Sequence, residues 1–226
     1  MHIFYVDVIN STQDHAKSIV ELHSSAVPFW VQSGMQLNGK GQRGRKWYGD
    51  SGNLYITGCF ARKDILPGQL SIALGVLLAN IIQTKLLEIG DKSKVGLKWP
   101  NDILINGKKC GGILIEISDY IYIGIGVNLT SHPVINPNEG MQATHLSAIN
   151  LEWLKMAIVN GINEQFFKLP DFENIQKQWF EFAKDCIDTW HIREPFNGQI
   201  IGIDSKGQLL IQDNQGNITA RHQTFV

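Results

Sequence analysis

Asp102-Ile103-Leu104-Ile105-Asn106-Gly107-Lys108-Lys109-Cys110-Gly111-Gly112-Ile113-Leu114-Ile115-Glu116 is the stretch from which the fold is read. Two apolar triplets flank Asn106-Gly107, a pair that accepts left-handed backbone at both positions, so the spacing predicts a β-hairpin closed by a tight turn. Tyr120 to Val127 follows as a third strand. Upstream, Pro67 opens a helix whose apolar positions, Leu70, Leu74, Leu77, Leu78 and Ile81, recur at helical spacing until near Gly90. Before it, Leu54 to Phe60 reads as a strand and Gly34 to Gly52 as a glycine-rich segment. Ser11, followed by Asp14 where a carboxylate favours a helix N-terminus, starts a helix to about Leu22, and Met1 to Ile9 alternates as an opening strand.

Downstream, helices are expected over Leu151 to Phe167 and Phe172 to Lys184. After Trp190 the texture changes to short strands, 200–203, 209–211 and 218–221, separated by polar turns. The expected architecture is α+β: helices on a mostly antiparallel sheet over 1–186, then a small β unit over 187–226.

The chain has 226 residues, of which 43% are hydrophobic and 18% charged, with a formal net charge of −1, so a dedicated nucleic-acid binder is not indicated. Three cysteines lie far apart with neither zinc nor redox spacing, which suits a reduced cytoplasmic protein. The first residues lack a signal peptide's basic and apolar regions, and Ile72 to Ile82, interrupted by Asn80, is too short to span a bilayer.

Three motif matches fail on context. Gly39-Lys40-Gly41-Gln42-Arg43-Gly44 has dinucleotide-binding spacing but no helix readable after it. Gly34 to Lys40 begins like a P-loop, yet Gly41 stands where a magnesium-binding hydroxyl is needed. Gly49-Asp50-Ser51-Gly52 resembles a protease nucleophile segment with too little chain before it for the base.

Three features carry chemistry. Gly39 to Trp47 packs four cations (Lys40, Arg43, Arg45, Lys46) and three glycines into nine residues, so backbone N–H groups and cations can close around an anion beside an aromatic wall. Taken alone, such a loop is more often solvated surface. Lys98-Trp99-Pro100-Asn101-Asp102 leads into the hairpin that carries Lys109 beside Gly111-Gly112; Asn101 and Asp102 offer oxygens suited to magnesium. Exposed lysines on a plain hairpin are the bland alternative. Gly124-Ile125-Gly126-Val127-Asn128 places glycines in a strand, which marks either a bulge or room for a ligand against bare backbone.

In this order the motifs resemble the biotin protein ligase family. Ser11-Thr12-Gln13 stands where the family has Ser-Thr-Asn, and Gly39 to Trp47 resembles its biotin-binding loop. Lys98-Trp99-Pro100-Asn101-Asp102 matches its Lys-Trp-Pro-Asn-Asp. Lys109-Cys110-Gly111-Gly112-Ile113-Leu114 and Gly124 to Asn128 resemble two further motifs, and the closing β unit resembles an SH3-like domain. The resemblance implies a class II aminoacyl-tRNA synthetase-like catalytic domain that uses ATP, with Mg2+, to convert biotin into biotinyl-adenylate. Biotin then passes to a lysine of the biotin carboxyl carrier protein of acetyl-CoA carboxylase. It implies catalytic roles for Lys109, Arg43, Arg45 and Asp102, the last also as magnesium ligand. Biotin contacts are implied for Ser11, Thr12, Gln13, Gln36, Gly39, Lys40, Gly41, Arg43, Gly44, Lys109, Gly112 and Gly126. Adenylate contacts are implied for Arg43, Arg45, Lys46, Trp47, Lys98, Asn101, Lys109 and Asn128. Neither a nucleic-acid nor a membrane partner is expected; the motifs begin too early for a helix-turn-helix domain, and sheet-edge pairing would allow a homodimer. Lys40 and Gln42 replace the family's first two loop arginines, which keeps one charge and loses the other. The competing readings are a lipoate ligase, whose Arg-Arg-x-x-Gly-Gly-Gly motif is absent, and a non-catalytic biotin or adenylate sensor.

Overall fold

The computed structural model describes residues 2–23, 27–136, 138, 140–167, 171–190 and 198–222. In chain order the elements are β1 (His2–Ile9), α1 (Thr12–His23), β2 (Phe29–Lys40), β3 (Lys46–Gly49), β4 (Leu54–Ala61) and α2 (Pro67–Glu88). Then come β5 (Val95–Lys98), β6 (Asp102–Ile105), β7 (Lys108–Ile117), β8 (Tyr120–Val127), α3 (Leu151–Phe167) and α4 (Phe172–Lys184). Strands β9 (Gln199–Ile203), β10 (Leu209–Gln212) and β11 (Ile218–Arg221) end the chain's described part.

The main sheet is mixed, ordered β1-β2-β4-β8-β7-β6-β5, with β3 paired to β2 off that path. Among its strands only β1 and β2 run parallel; every other strand pair is antiparallel. The hairpin forms as its sequence demands: Asn106 and Gly107 both take positive φ, 49° and 75°, the turn whose twist matches two antiparallel strands.

Two strands differ from the sequence reading. Phe29–Lys40 is a long strand rather than part of a glycine-rich loop, because its first half is buried on both faces and so shows no alternation. Gly34 lets it approach β1: a Cβ there would lie 2.9 Å from the Asp7 carbonyl oxygen. Val95–Lys98 was likewise too short and too buried to announce itself.

The two faces of the sheet are covered unequally, and this places the site. On one face α2 and α3 seal a large core in which Trp30, Ile56, Phe60, Ile123 and Ile125 meet Leu78, Ile82, Ile158 and Ile162. Full burial of an aliphatic side chain of this kind is worth about 1.5–3 kcal/mol. Helix α2 is long and apolar enough to cross a membrane by length and composition, contrary to the shorter apolar run read from sequence, but it packs here as a core helix with most of that run buried. On the other face α1 rests on β2, β4 and β8 over a small cluster of Ala16, Phe29, Val31, Cys59 and Tyr122. Beyond that cluster the sheet surface is open.

The C-terminal strands form a three-stranded antiparallel sheet, β11-β10-β9. Its inward residues Ile200, Ile203, Leu209 and Ile211 join the main core. The Trp99 indole donates to the Gly207 carbonyl at 2.9 Å, tying this sheet to the segment before β6. Residues 191–197 and 223–226, within the expected second unit, lie outside the described residues.

Candidate active site

Lys109 and Gly112 are three residues apart, so on a regular strand they would face opposite sides of the sheet. The β6–β7 register shifts between Ile103 and Leu104: Ile103 pairs with Gly111 but Leu104 with Lys109, leaving Cys110 as the extra residue. This bulge re-aims Lys109 onto the open face beside Gly112. There Lys109 Nζ meets Asp102 Oδ1 at 2.6 Å and lies 5.3 Å from the centre of the Trp47 ring.

The open face holds a cleft. Its floor is two rows across the sheet: Gly112 opposite Gly126, and Leu114 opposite Gly124 opposite Thr57. The β8 glycines make room for side chains. A Cβ at Gly124 would lie 2.6 Å from Gln13 Oε1, and one at Gly126 would lie 2.7–2.9 Å from three atoms of the Trp47 indole. The register of β8 with both neighbours is continuous, so these glycines mark space and not a bulge.

One end of the cleft is uncharged and rich in hydrogen bonds. Gln36 Oε1 accepts from the Thr12 amide at 2.8 Å and from the Thr12 hydroxyl at 3.1 Å. Thr57 Oγ1 lies 2.9 Å from Thr12 Oγ1 and 3.2 Å from Gln13 Oε1. Ser11, Thr12, Gln13, Gln36 and Thr57 are all buried, so this network is held by packing and not by solvent. The other end is cationic. Arg45, Lys46 and Lys109 line it, while Lys40, also on the cleft lining, pairs at 2.5 Å with Asp14, next to Gln13; Arg45 and Lys46 make no ion pair among the described residues. Arg45 Nε donates to the Gln42 carbonyl at 3.2 Å, bracing the single helical turn Gln42–Gly44. The Trp47 Nε1–H is buried with no acceptor among the described residues. A donor in that condition suits a ligand oxygen or nitrogen.

The structure gathers Ser11, Thr12, Gln13, Gln36, Lys40, Gly41, Arg45, Lys46, Trp47, Asn101, Lys109, Gly112 and Gly126 around this cleft, with Asp102 behind Lys109. Other expected residues sit elsewhere. Arg43, at φ 57°, and Gly44, at φ 71°, are exposed and face a second cavity between the loop and Leu114–Glu116. Gly39 also lies on that side, where a Cβ would meet the Trp47 carbonyl at 2.6 Å. Lys98 Nζ lies near Met141 Sδ, at 4.0 Å. Asn128 is buried and its Nδ2 donates to the Thr144 carbonyl at 3.0 Å, so its side-chain donor serves the chain and not the cleft. Asn101, on the cleft lining, donates from Nδ2 to the Ile113 carbonyl at 2.8 Å. Lys40, Arg45 and Lys46 line both cavities, while Arg43, in left-handed backbone, lines only the second. Sequence reading passed over Thr57; a lone hydroxyl within Leu54-Tyr55-Ile56-Thr57-Gly58 was its only signal.

The cleft thus sets buried amides and hydroxyls beside cations on one face of a mixed sheet. Residues 5–128 match the biotin/lipoate A/B protein ligase family, and the chain belongs to it. The bifunctional ligase/repressor BirA of Bacillus subtilis is 33% identical over 234 residues, covering 95% of this chain and 70% of that protein. The biotin–[acetyl-CoA-carboxylase] ligase of Paracoccus denitrificans is 35% identical over 112 residues, or 46% of this chain and 45% of that one. A solved biotin protein ligase from Aquifex aeolicus, in complex with biotin and ATP, superposes with a TM-score of 0.75 at 23% identity, covering 97% of this chain and 94% of that one.

Proposed function

We infer that this chain is an ATP-dependent biotin protein ligase that makes biotinyl-adenylate and transfers biotin to a lysine of the carrier protein of acetyl-CoA carboxylase. The observation that carries the reading is the polarity of the cleft, with uncharged amides and hydroxyls at one end and Lys109, Arg45 and Lys46 at the other. A ureido ring offers donors and an acceptor to Ser11, Thr12 and Gln36, while the apolar chain crosses Leu114 and the glycine floor. Its carboxylate then reaches Lys109. Attack of that carboxylate on the α-phosphate brings negative charges together, and fixed cations lower the barrier where charge develops. Arg45 and Lys46 face the phosphates, and Trp47 covers the mixed anhydride against water. Asp102 orients Lys109 in the first step and is placed to accept a proton from the incoming lysine in the second.

Magnesium fits as a passenger of the nucleotide. Among the described residues no three His, Cys, Asp or Glu side chains converge, so Asp102 would hold the ion together with phosphate oxygens, and the ion would supply positive charge to offset theirs. The same proposal includes the class II synthetase-like catalytic unit, the division near residues 186 and 187, and an SH3-like character for the closing sheet. It also includes residence in the cytoplasm, for which Cys59, Cys110 and Cys186, all buried thiols outside any disulfide, are the support.

The test is ATP–pyrophosphate exchange with biotin or lipoate as the acid, followed by transfer to a biotin carboxyl carrier domain. Exchange with biotin alone, then a mass gain on the carrier, is the expected result. Exchange only with lipoate would move the chain to the sister activity, and binding without exchange would make it a sensor.

A further inference from the structure

Strand β8 ends at Val127 opposite Gly111, so the residues of β7 before Gly111 have no β8 partner. Residues 142–144 take that place. Lys109 N donates to the Gln142 carbonyl at 2.8 Å, Thr144 N donates to the Lys109 carbonyl at 2.8 Å, and Ala143 sits beside Lys109 in parallel. The brace is fastened at its far end by Asn128, whose carbonyl accepts from Leu146 N at 3.0 Å and whose side chain reaches Thr144.

The chain that leaves β8, ahead of the brace, is fastened by one side chain from just before β4. Asn53, 3% exposed and immediately before β4, directs Oδ1 at three successive amides, Leu129 at 2.8 Å, Thr130 at 2.9 Å and Ser131 at 3.3 Å. Its Nδ2 donates to the Ser131 carbonyl at 3.1 Å and to the Ser131 hydroxyl at 3.2 Å. Three consecutive N–H groups converging on one point form a nest, here filled by a protein oxygen. Asn53 thus fixes the direction in which the chain leaves β8.

We propose that Asn53 is a positioning residue for the adenylation step: by fixing residues 129–131 it lets residues 142–144 brace the backbone of Lys109. This rests on Lys109 acting at the reacting carboxylate, as read above. Asn53 lies outside the cleft lining, so biotin recognition by Gln36, Thr12 and Thr57 does not depend on it.

Two measurements on Asn53→Ala test this. In pyrophosphate exchange, kcat/KM for ATP should fall about tenfold, the scale of orphaned buried hydrogen-bonding groups, while the calorimetric biotin Kd stays within about twofold. Asn53→Asp, which keeps an acceptor suited to the nest, should recover most of the loss. In amide hydrogen exchange, the Lys109 amide should lose protection while those of Ile123 and Ile125 in β8 keep theirs. Parallel losses for ATP and biotin, no loss for either, or unchanged Lys109 protection would overturn the proposal. Absence of exchange activity in the unmodified protein would fault the functional reading instead, and the amide measurement would still decide the role of Asn53.

Discussion

Thr57→Val removes one oxygen and keeps the shape of a wholly buried side chain. The hydroxyl lies 2.9 Å from Thr12 Oγ1 and 3.2 Å from Gln13 Oε1, so valine deletes a hydrogen bond and leaves buried partners short of one. The bond itself is worth about 1 kcal/mol net, and an orphaned buried partner costs about 1–3 kcal/mol. No cavity opens, so nothing further is added, and a loss of about 2 kcal/mol follows. For a domain of this size that corresponds to a fall in Tm of about 4–8 °C. The network also holds Thr12 against Gln36, so loosening it by about 1.4 kcal/mol weakens biotin binding about tenfold. Differential scanning calorimetry and titration calorimetry read the two effects, and Thr57→Ser, which keeps the hydroxyl, should largely preserve the biotin Kd. A Thr57→Val protein with unchanged Kd and unchanged or higher Tm would refute the claim that this hydroxyl organises the recognition end.

Lys109→Met should cut the adenylation rate by about 10²- to 10³-fold, as expected when a charge aimed at the reacting centre is removed, and a loss below about threefold in single-turnover assays would place the lysine elsewhere. Gly126→Ala puts a methyl 2.7–2.9 Å from three indole atoms, so Trp47 must leave the floor; biotinyl-adenylate binding should weaken, and a structure with the indole unmoved would contradict the contact. Gln42→Arg adds a cation beside the cleft and should slow release of the adenylate, with an unchanged rate in a quench experiment counting against it. Burial pushes the thiols of Cys59 and Cys110 from 9.0 up to about 12 and the hydroxyls of Tyr55 and Tyr122 from 10.0 up to about 12. Groups raised in the folded state contribute fully below their unfolded values, so stability should hold to about pH 9 and fall toward pH 12, read as urea midpoints at about pH 8 and 10.5.

What the sequence determined by itself was local. Asn106-Gly107 dictates its turn whatever surrounds it, and the helical spacing from Leu70 to Ile81 is the pattern of the helix it forms. The residue types of the cleft were also legible, because glycines, cations and amides at Ser11–Gln13, Gln36–Trp47 and Lys109–Gly112 advertise their chemistry without a fold. Tertiary structure decided which of them face one another. Strand β2 hid because burial on both faces erases alternation. Side-chain direction on β7 depends on the bulge at Cys110, a property of its pairing with β6 that neither strand encodes alone. The glycines of β8 left a choice between bulge and space that only the seating of Gln13 and Trp47 resolves. Arg43 and Gly44, both in left-handed backbone, line the second cavity, and Asn128 donates to the Thr144 carbonyl, none of which residue type alone could tell. Residue type is set by the chain, while the face a residue presents is set by the partners that satisfy its backbone, and here those partners are far away in sequence.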